Sequence, residues 1–281
     1  MTVPIVRWQP GNFLRTPGGP DSPVMRPVPY LSCPPGPLFR PVLGASRPVR
    51  LLGATIGTPV RCSRRTPWRP TIAADKAQSW AYTEDFLVEA EPIQAARGRA
   101  EELGVTPVSP GTGAALRMLA AAAKAHAVAE VGTGTGVSGL WLLEGMAADG
   151  VLTTIDVEVE HQRAAKEAFA TAQVRSTRTR TISGRALDVL PRLADSAYDM
   201  VVIDGDPAEA SDDADQAIRM LRTGGILAVT DALWHDRVAD PARRDEQTVA
   251  MRELGRRIRE DERLLPSLLP VGDGLLVAVL R

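Results

Sequence analysis

Alternating glycines follow an apolar run near the middle of the chain, in the segment Glu130-Val-Gly132-Thr-Gly134-Thr-Gly136-Val-Ser138-Gly139. Glycine lets a backbone approach a ligand closely, and the free N–H groups at the start of a following helix bind polar or anionic ligand groups. The segment therefore predicts a loop that binds an adenosyl cofactor. Because Gly134, Gly136 and Gly139 also satisfy G-x-G-x-x-G, a nicotinamide dinucleotide is the first alternative.

Two carboxylates bear on the choice between these cofactors. Glu130 stands two residues before the first glycine, where it could accept hydrogen bonds from loop donors or, through water, from the ammonium of S-adenosylmethionine. Dinucleotide loops lack such an acid. Asp156 ends the next apolar run, 25 positions after Val131, where a carboxylate can bind both ribose hydroxyls of either cofactor. Glu130 therefore favours S-adenosylmethionine, whereas Asp156 fits both.

The elements around this loop predict a doubly wound α/β fold with a mostly parallel, seven-stranded sheet. Helices over 75–90, 92–103 and from about 113 to 125 precede the first strand, which is unusual for a dinucleotide domain. Short apolar runs then predict strands at 127–131, 151–156, 178–183, 199–204 and 226–231. Amphipathic segments predict helices at 138–147, 159–172, 186–193, 212–221 and 241–260. Runs 264–270 and 275–280 flank a tight Gly-Asp-Gly turn and predict a closing antiparallel hairpin.

The first 70 residues differ in composition from the rest of the chain. They hold 15 of the 23 prolines, ten arginines, no lysine and one acid, Asp21. Because proline removes backbone donors and fixes φ, we predict a disordered extension over 1–70 and a folded domain over 71–281. A basic arm for nucleic acid and a start codon assigned too early are the alternatives. The acidic balance of 71–281 makes nucleic acid an unlikely partner for the domain.

Cysteine usage and hydropathy bear on the location of the protein. Both cysteines, Cys33 and Cys62, lie in the proline-rich segment, so the predicted domain has no thiol chemistry. The first 20 residues contain no apolar core of a secretory signal, and no apolar stretch approaches the roughly 20 residues of a membrane span. These features predict a cytoplasmic protein without a membrane partner.

Five segments in order carry a resemblance to a known family: the glycine loop continued to Leu140-Trp141, Thr154-Ile-Asp-Val-Glu, Ile182-Ser-Gly-Arg-Ala186, Val201-Val-Ile-Asp-Gly-Asp206, and Leu221-Arg-Thr-Gly-Gly-Ile-Leu-Ala-Val-Thr-Asp231. Over about residues 75–281 the chain resembles the caffeoyl-CoA and catechol type O-methyltransferases, particularly the small bacterial members. The resemblance implies methyl transfer from S-adenosylmethionine to a hydroxyl of a small, aromatic, catechol-like acceptor. It also implies a homodimer formed through the N-terminal helices.

The resemblance also implies which residues hold the cofactor. The residues at the methionine end of the cofactor belong to the glycine loop, and those at its ribose and adenine follow the second and third strands. Two further residues come from the loop before the third helix and from the end of the fourth strand. In this order, the residues are Glu130, Gly132, Thr133, Gly134, Gly136 and Ser138; Asp156, Val157, Gly184, Arg185 and Ala186; and Val108 and Asp206. Simple packing is the alternative for Val108 and Ala186, and a helix cap is the alternative for Asp206.

The catalytic pattern departs from the family at the metal site. Catechol methylating members bind a divalent cation through an Asp after the fourth strand and an Asp-Asn pair after the fifth. Here Asp204 provides the first ligand and is the predicted catalytic residue, but Thr230-Asp231 replaces the pair. Asp204 and Asp231 could hold Mg²⁺ or Ca²⁺ together with Thr230 and water. Alternatively, Asp231 only caps the following loop.

The expected general base is also missing, because Pro207 stands where the family has a lysine. His235 could accept a proton near neutral pH, although a solvent-facing role is the alternative. Trp80, Trp141 and Trp234 could form walls for an aromatic acceptor, or belong to the core or a dimer interface. Two other functions stay open: an NAD(P)-dependent oxidoreductase, and a protein that binds S-adenosylmethionine without catalysis.

Overall fold

The computed structural model describes residues 76–281, and seven of its segments are β-strands. The central strands are apolar and largely buried, as expected for strands covered on both faces, whereas the third strand is partly exposed and the sixth mostly exposed. The seven strands are β1 (Ala127–Val131), β2 (Val151–Asp156), β3 (Thr179–Ser183), β4 (Tyr198–Ile203), β5 (Leu221–Val229), β6 (Leu264–Leu269) and β7 (Leu275–Leu280). They form one sheet in the order β3-β2-β1-β4-β5-β7-β6.

The pairing pattern confirms the predicted fold class. β1 is parallel to β2 and β4, β2 to β3, and β4 to β5, whereas β7 runs antiparallel to β5 and β6. The chain moves outwards from β1 to β3 and then returns to the other side of β1 at β4. This reversal is a topological switch point, and ligands of such sheets bind beyond the carboxyl ends of the strands there.

Eight α-helices surround the sheet in the described part of the chain. They are α1 (Lys76–Glu84), α2 (Glu91–Leu103), α3 (Pro110–Ala122), α4 (Val137–Gly145), α5 (Val159–Thr171), α6 (Ala186–Val189), α7 (Ala210–Met220) and α8 (Glu246–Glu260). Side chains of α2, α3, α4 and α5 pack on one face of the sheet, and those of α6, α7 and α8 pack on the other. Successive strand residues alternate between the two cores; Val128 joins the first and Ala129 the second.

Most predicted elements exist, but some of their ends were wrong. β1, β2 and β7 have the predicted bounds. α1 ends at Glu84 rather than at residue 90, and β5 begins at Leu221 rather than at 226. α8 begins at Glu246 rather than at 241, because the Asp245 side chain accepts a hydrogen bond from the Thr248 N–H at 3.1 Å and caps the helix.

Two further predictions concern the rest of the chain and the membrane. The proline-rich extension over 1–70, with both cysteines, lies outside the described residues. Within residues 76–281, none of the helices has the length and apolar character that a membrane span requires.

Candidate active site

A cavity of about 390 Å³ lies at the carboxyl ends of β1, β2 and β4, at the switch point of the sheet. Most of the residues predicted for the cofactor and the metal line it together, although they come from six different loops. They are Val108, Gly132, Thr133, Gly134, Ser138, Asp156, Val157, Gly184, Ala186, Asp204, Asp206 and Asp231. The parallel strands thus bring the separate sequence motifs to one site.

Three predicted cofactor residues are not among those that line the cavity. Glu130 is fully buried beneath the glycine loop. Gly136 is the N-cap residue just before α4, at φ +89°, and a Cβ there would lie 3.2 Å from Ala165 and Phe169, so this glycine provides close packing against α5. The Arg185 side chain is largely exposed and forms an ion pair with Glu209.

The glycine loop needs Gly132 for a steric reason. Its φ is +90°, and a Cβ there would lie 2.0 Å from the backbone oxygen of Asp204. The Gly132 N–H donates to Ile155 O at 2.8 Å, and the Asp204 N–H donates to Val131 O at 2.9 Å. The first glycine therefore lets the loop leave β1 directly against the end of β4, which brings the loop and Asp204 into one cavity.

Asp156 ends β2 and fixes the opposite side of the loop. Its Oδ2 accepts a hydrogen bond from the Gly134 N–H at 2.9 Å, and its Oδ1 accepts one from the Glu158 N–H at 2.9 Å. His161 Nδ1 lies 3.3 Å from Asp156 Oδ2 and also lines the cavity. Asp156 is therefore held at the mouth of the cavity, in the position predicted for a ribose ligand.

A buried chain of polar side chains supports the loop from below. Gln162 on α5 donates to Thr133 Oγ1 at 2.9 Å, the hydroxyls of Thr133 and Thr154 are 2.7 Å apart, and Thr154 donates to Glu130 Oε2 at 2.7 Å. Because the Thr154 hydroxyl uses its proton on Glu130, the Thr133 hydroxyl must be the donor in the contact between the two threonines. The chain connects α5, the loop, β2 and β1, and it ends on a carboxylate.

Glu130 is the charged end of this chain and has spare acceptor capacity. Its Oε1 is buried and has no hydrogen-bond partner among the described residues. Burial raises the pKa of Glu130 from its usual 4.5 to about 7, against the opposing effect of the Thr154 and Ser138 hydroxyls. A buried carboxyl without a second donor is costly to ionise, so a cationic ligand group in the neighbouring cavity would favour its charged form.

Asp204, at the end of β4, is the second carboxyl of the cavity with a raised pKa. Burial raises its pKa from 3.8 to about 7, and the nearby charges of Asp231 and Asp156 act in the same direction. The Thr230 hydroxyl donates to Asp204 Oδ1. Asp231 also lines the cavity, at φ +49°, and burial followed by the charge of Asp273 raises its pKa.

The donor set around Asp204 does not fit the predicted divalent cation. One oxygen of Asp204 already accepts a hydrogen bond from the Thr230 hydroxyl. At position 230 the family has a carboxylate, and a threonine hydroxyl is a poorer ligand for a divalent cation. Residues 76–281 contain no group of three or more His, Cys, Asp or Glu side chains placed to hold a metal ion. We therefore derive no role for a metal from this site.

The aromatic residues and His235 separate into different roles. Trp234 lines the cavity, next to Asp231. Trp141 is buried in the core, where a Cβ on Gly113 would lie 2.3 Å from its ring, and Trp80 is half exposed on α1. His235 is largely exposed and its Nδ1 lies 3.4 Å from Asp273 Oδ2. Of the three tryptophans considered for an acceptor pocket, only Trp234 is placed to form its wall.

The cavity has a one-sided charge. Seven acidic residues line it, and none of its lining residues is Lys or Arg; the acids are Asp156, Glu158, Asp204, Asp206, Glu209, Asp213 and Asp231. Such a lining attracts cations and repels anions, and the low-dielectric walls strengthen both effects. An anionic ligand group is therefore disfavoured next to these carboxyls.

Sequence reasoning missed several residues of this site. Gln162 and Asp213 belonged to no motif, Thr154 stood in a quoted segment without an assigned role, and His161 was assigned no chemistry. Gln162 and His161 could have been predicted from their position, because they lie in the first turn of α5, which follows Asp156. Nothing in the spacing indicates that Thr154 points at Glu130, because that contact depends on the register between β1 and β2.

The fold and site together define a class I methyltransferase, with a glycine loop after β1, an acid at the end of β2 and a reversed final strand. Two solved structures have a similar fold. A Corynebacterium glutamicum protein has a TM-score of 0.68 and 34% identity, covering 72% of this chain and 95% of that one. The O-methyltransferase TomG of Streptomyces achromogenes, solved with S-adenosylmethionine, has a TM-score of 0.66 and 26% identity, covering 72% and 96%.

Sequence comparison narrows the class to one family. The O-methyltransferase family model matches residues 84–281. A Mycobacterium tuberculosis protein named "Probable O-methyltransferase" is 52% identical over 200 residues, or 71% of this chain and 89% of its own length. A Mycobacterium ulcerans relative whose name also proposes an O-methyltransferase is 51% identical over 217 residues, or 77% and 96%. The chain belongs to the O-methyltransferase family, and its cofactor is S-adenosylmethionine.

Replacing Asp156 tests the ribose site. We expect Asp156→Ala to weaken S-adenosylhomocysteine binding by about 1.5–3 kcal/mol, because charge-assisted hydrogen bonds to the ribose are lost. Calorimetric titration measures this effect. Asp188→Ala is the matched control, since Asp188 is exposed and is not among the residues that line the cavity. An unchanged dissociation constant for Asp156→Ala would remove the residue from the cofactor site.

Proposed function

We propose that this chain transfers the methyl group of S-adenosylmethionine to a hydroxyl of a small aromatic acceptor that carries no anionic group. The observation that supports this proposal is the acidic cavity, which has seven lining carboxyls and neither Lys nor Arg among its lining residues. A phosphorylated acceptor, such as a coenzyme A thioester or an RNA, would meet repulsion at this lining. A neutral or cationic phenol or catechol would not.

The residues of the site have distinct tasks in this proposal. When bound, S-adenosylmethionine supplies an activated methyl group on a positively charged sulfonium. Glu130 and the glycine loop hold the methionine end, and Asp156 holds the ribose. Trp234 packs against the acceptor ring, and the fixed position of these groups provides alignment and excludes water.

Asp204 takes the proton that the acceptor hydroxyl releases. It lines the cavity at the end of β4, and the Thr230 hydroxyl donates to one of its oxygens, which orients the carboxylate and leaves the other oxygen for the acceptor. A base in hydrogen-bond reach of the reacting hydroxyl is what general-base catalysis requires. Asp204 therefore replaces the missing lysine without a metal.

The acceptor class is tested with the full chain and S-adenosylmethionine carrying a labelled methyl group. Catechols, simple phenols, a phenol with a cationic side chain and an aromatic coenzyme A thioester are offered in parallel. We expect label in the neutral and cationic phenols and none in the thioester. Binding of the cofactor without transfer to any of them would favour a binding protein, and transfer to the thioester alone would contradict the proposed acceptor.

A substitution at Thr230 tests whether metal binding has been lost from this site. Thr230→Asp places a third carboxylate beside Asp204 and Asp231, so we expect a lower melting temperature in the presence of a chelator and recovery on addition of Mg²⁺. The wild-type melting temperature and methyl transfer should respond to neither reagent. Thr223→Asp, an exposed position on β5, is the matched control. Methyl transfer by the wild type that stops with a chelator would contradict the metal-free proposal.

The proposal includes a homodimer formed through the N-terminal helices. Four large apolar side chains of α1 and the segment after it are half or more exposed: Trp80, Tyr82, Phe86 and Val88. Contiguous exposed apolar side chains are typical of protein interfaces. Light scattering of the full chain and of a Tyr82→Glu variant tests this surface. A cytoplasmic location also belongs to the proposal, because the cofactor is made there.

A further inference from the structure

A buried carboxyl on α7 has no task in the mechanism above. Asp213 is 1% exposed, lies in the first turn of α7 and lines the cavity. Its Oδ1 is buried and finds no hydrogen-bond partner within residues 76–281. Because burial of an unpaired polar group costs free energy, native proteins pair nearly all of them. An unpaired oxygen on a residue that lines a cavity indicates a ligand that supplies the donor.

The surroundings of Asp213 place it on the side of the cavity that is nearest to α6. Burial, followed by the charges of Glu209 and Asp212, raises the pKa of Asp213 to about 7. Glu209 in turn pairs with Arg185, which immediately precedes α6. The Asp213 N–H donates to the backbone oxygen of Glu209 at 2.9 Å, so these two residues lie one helical turn apart at the start of α7. Asp213 therefore belongs to the α6 side of the cavity.

The cavity wall on this side suits a flat, apolar ring. Val131, Ile155 and Ala186 line the cavity and belong to the core between the sheet and helices α6 to α8. A Cβ on Gly205 would lie 3.1 Å from Val131 Cγ1 and 3.9 Å from Asp213 Oδ2, so the carboxyl lies close to this apolar wall. A ring packed on the wall would present its edge to Asp213.

We propose that Asp213 accepts a hydrogen bond from the exocyclic amine of the cofactor's adenine and so selects adenine over other purines. The amine is a donor at the edge of the ring, whereas a 6-oxo purine presents an acceptor at the same place. A carboxylate facing that oxygen would repel it. The inference rests on the adenosyl cofactor of the proposed function and is independent of the acceptor.

The test uses the full chain and three ligands that differ only at the purine 6-position. They are S-adenosylhomocysteine, its 6-deaminated purine analogue and its 6-oxo (inosyl) analogue, each titrated by calorimetry. We expect the wild type to bind both analogues about tenfold or more weakly than S-adenosylhomocysteine, because a hydrogen bond to a charged group is lost. For the 6-oxo analogue, repulsion adds to this loss.

The variant Asp213→Asn tests the residue itself. The asparagine amide can donate to a 6-oxygen, so we expect this variant to bind S-adenosylhomocysteine more weakly than the wild type does. We also expect its preference for S-adenosylhomocysteine over the 6-oxo analogue to be at least about tenfold smaller. Asp212→Asn makes the same charge change on an exposed neighbouring position and should keep the wild-type preference.

Two results would overturn the inference. One is a wild type that binds the deaminated analogue as tightly as S-adenosylhomocysteine, and this result needs no variant, so the test survives if Asp213→Asn does not fold. The other is a folded Asp213→Asn that keeps the wild-type preference. A failure to bind S-adenosylhomocysteine at all would also overturn the proposed function, whereas failure of methyl transfer alone would not affect this test.

Discussion

Gly132→Ala is expected to abolish measurable cofactor binding and to destabilise the fold. The residue has φ +90°, and its new Cβ would lie 2.0 Å from the backbone oxygen of Asp204. The positive φ costs about 1–2 kcal/mol for alanine, and relief of the clash requires the loop to move away from β4. Such a movement displaces both the loop N–H groups and Asp204, so we expect at least a hundredfold loss of affinity, or about 3 kcal/mol.

Gly98→Ala is the matched control for this experiment. Gly98 is an exposed residue inside α2, and a Cβ there would have nothing within 4 Å. Because alanine is the better helix former, we expect this variant to be more stable by about 0.5–1 kcal/mol and to bind the cofactor normally. Thermal melting and titration with S-adenosylhomocysteine measure both variants. Normal binding by Gly132→Ala would refute the steric explanation of the glycine loop.

The sequence predicts the fold well where one local rule decides the structure. β1, β2 and β7 have the predicted bounds because each is a short apolar run with a polar or glycine residue at its end. The start of α8 was wrong because the predicted helix began at Pro241, whereas Asp245 supplies the cap in the structure. The β5 strand extends back to Leu221, through Gly224 and Gly225, because it pairs with Tyr198 of β4. That pairing is a tertiary contact, which no local pattern contains.

The same distinction applies to the site. Gly132 and Asp156 were predictable because the backbone of a strand end imposes their types. Gly136 belongs to the same glycine pattern, yet its missing side chain makes room for Ala165 and Phe169 instead of a ligand. Spacing along the chain cannot separate these two needs, since both require a glycine at positive φ.

Partners across the fold could not be predicted. Gln162 and Thr154 meet at Thr133 only because α5 packs on the sheet with one face and β1 pairs with β2 in one register. Asp213 is one of three aspartates within four positions, and only the packing of α7 decides that it is the buried one. Acidic residues in a helical first turn ordinarily interact with the helix dipole at the surface, which is how sequence alone would interpret all three.

The raised pKa values give the cavity a definite pH dependence. Glu130, Asp204 and Asp213 each have a folded pKa of about 7, above their unfolded values. Their favourable contribution to folding is fully present below the unfolded pKa values and is lost as the pH rises through 7. The free protein is therefore expected to become less stable from pH 5.5 to pH 8. A cationic cofactor reverses part of this loss, because it favours the ionised carboxylates.

Glu130→Gln should separate these two effects. At pH 8 the wild type must keep Glu130 ionised and fully buried, whereas glutamine carries no charge. The shift from 4.5 to about 7 corresponds to about 3 kcal/mol at most, part of which is lost because the glutamine amide has no acceptor. We therefore expect the free variant to melt at a higher temperature than the wild type at pH 8, with little difference near pH 4.5.

The same variant should bind S-adenosylmethionine more weakly at pH 8, by about ten- to a hundredfold, because the cationic groups of the cofactor lose a nearby buried negative charge. Wild-type affinity should rise from pH 6 to pH 8 with release of protons, and the variant should show a smaller rise, since Asp204 and Asp213 remain. Glu101→Gln, on the exposed face of α2, should change neither stability nor binding. A Glu130→Gln variant that is less stable and binds as tightly as the wild type would show that Glu130 only supports the polar chain to Gln162. Gain of stability together with loss of binding would instead show that the fold maintains a costly buried charge for its cofactor.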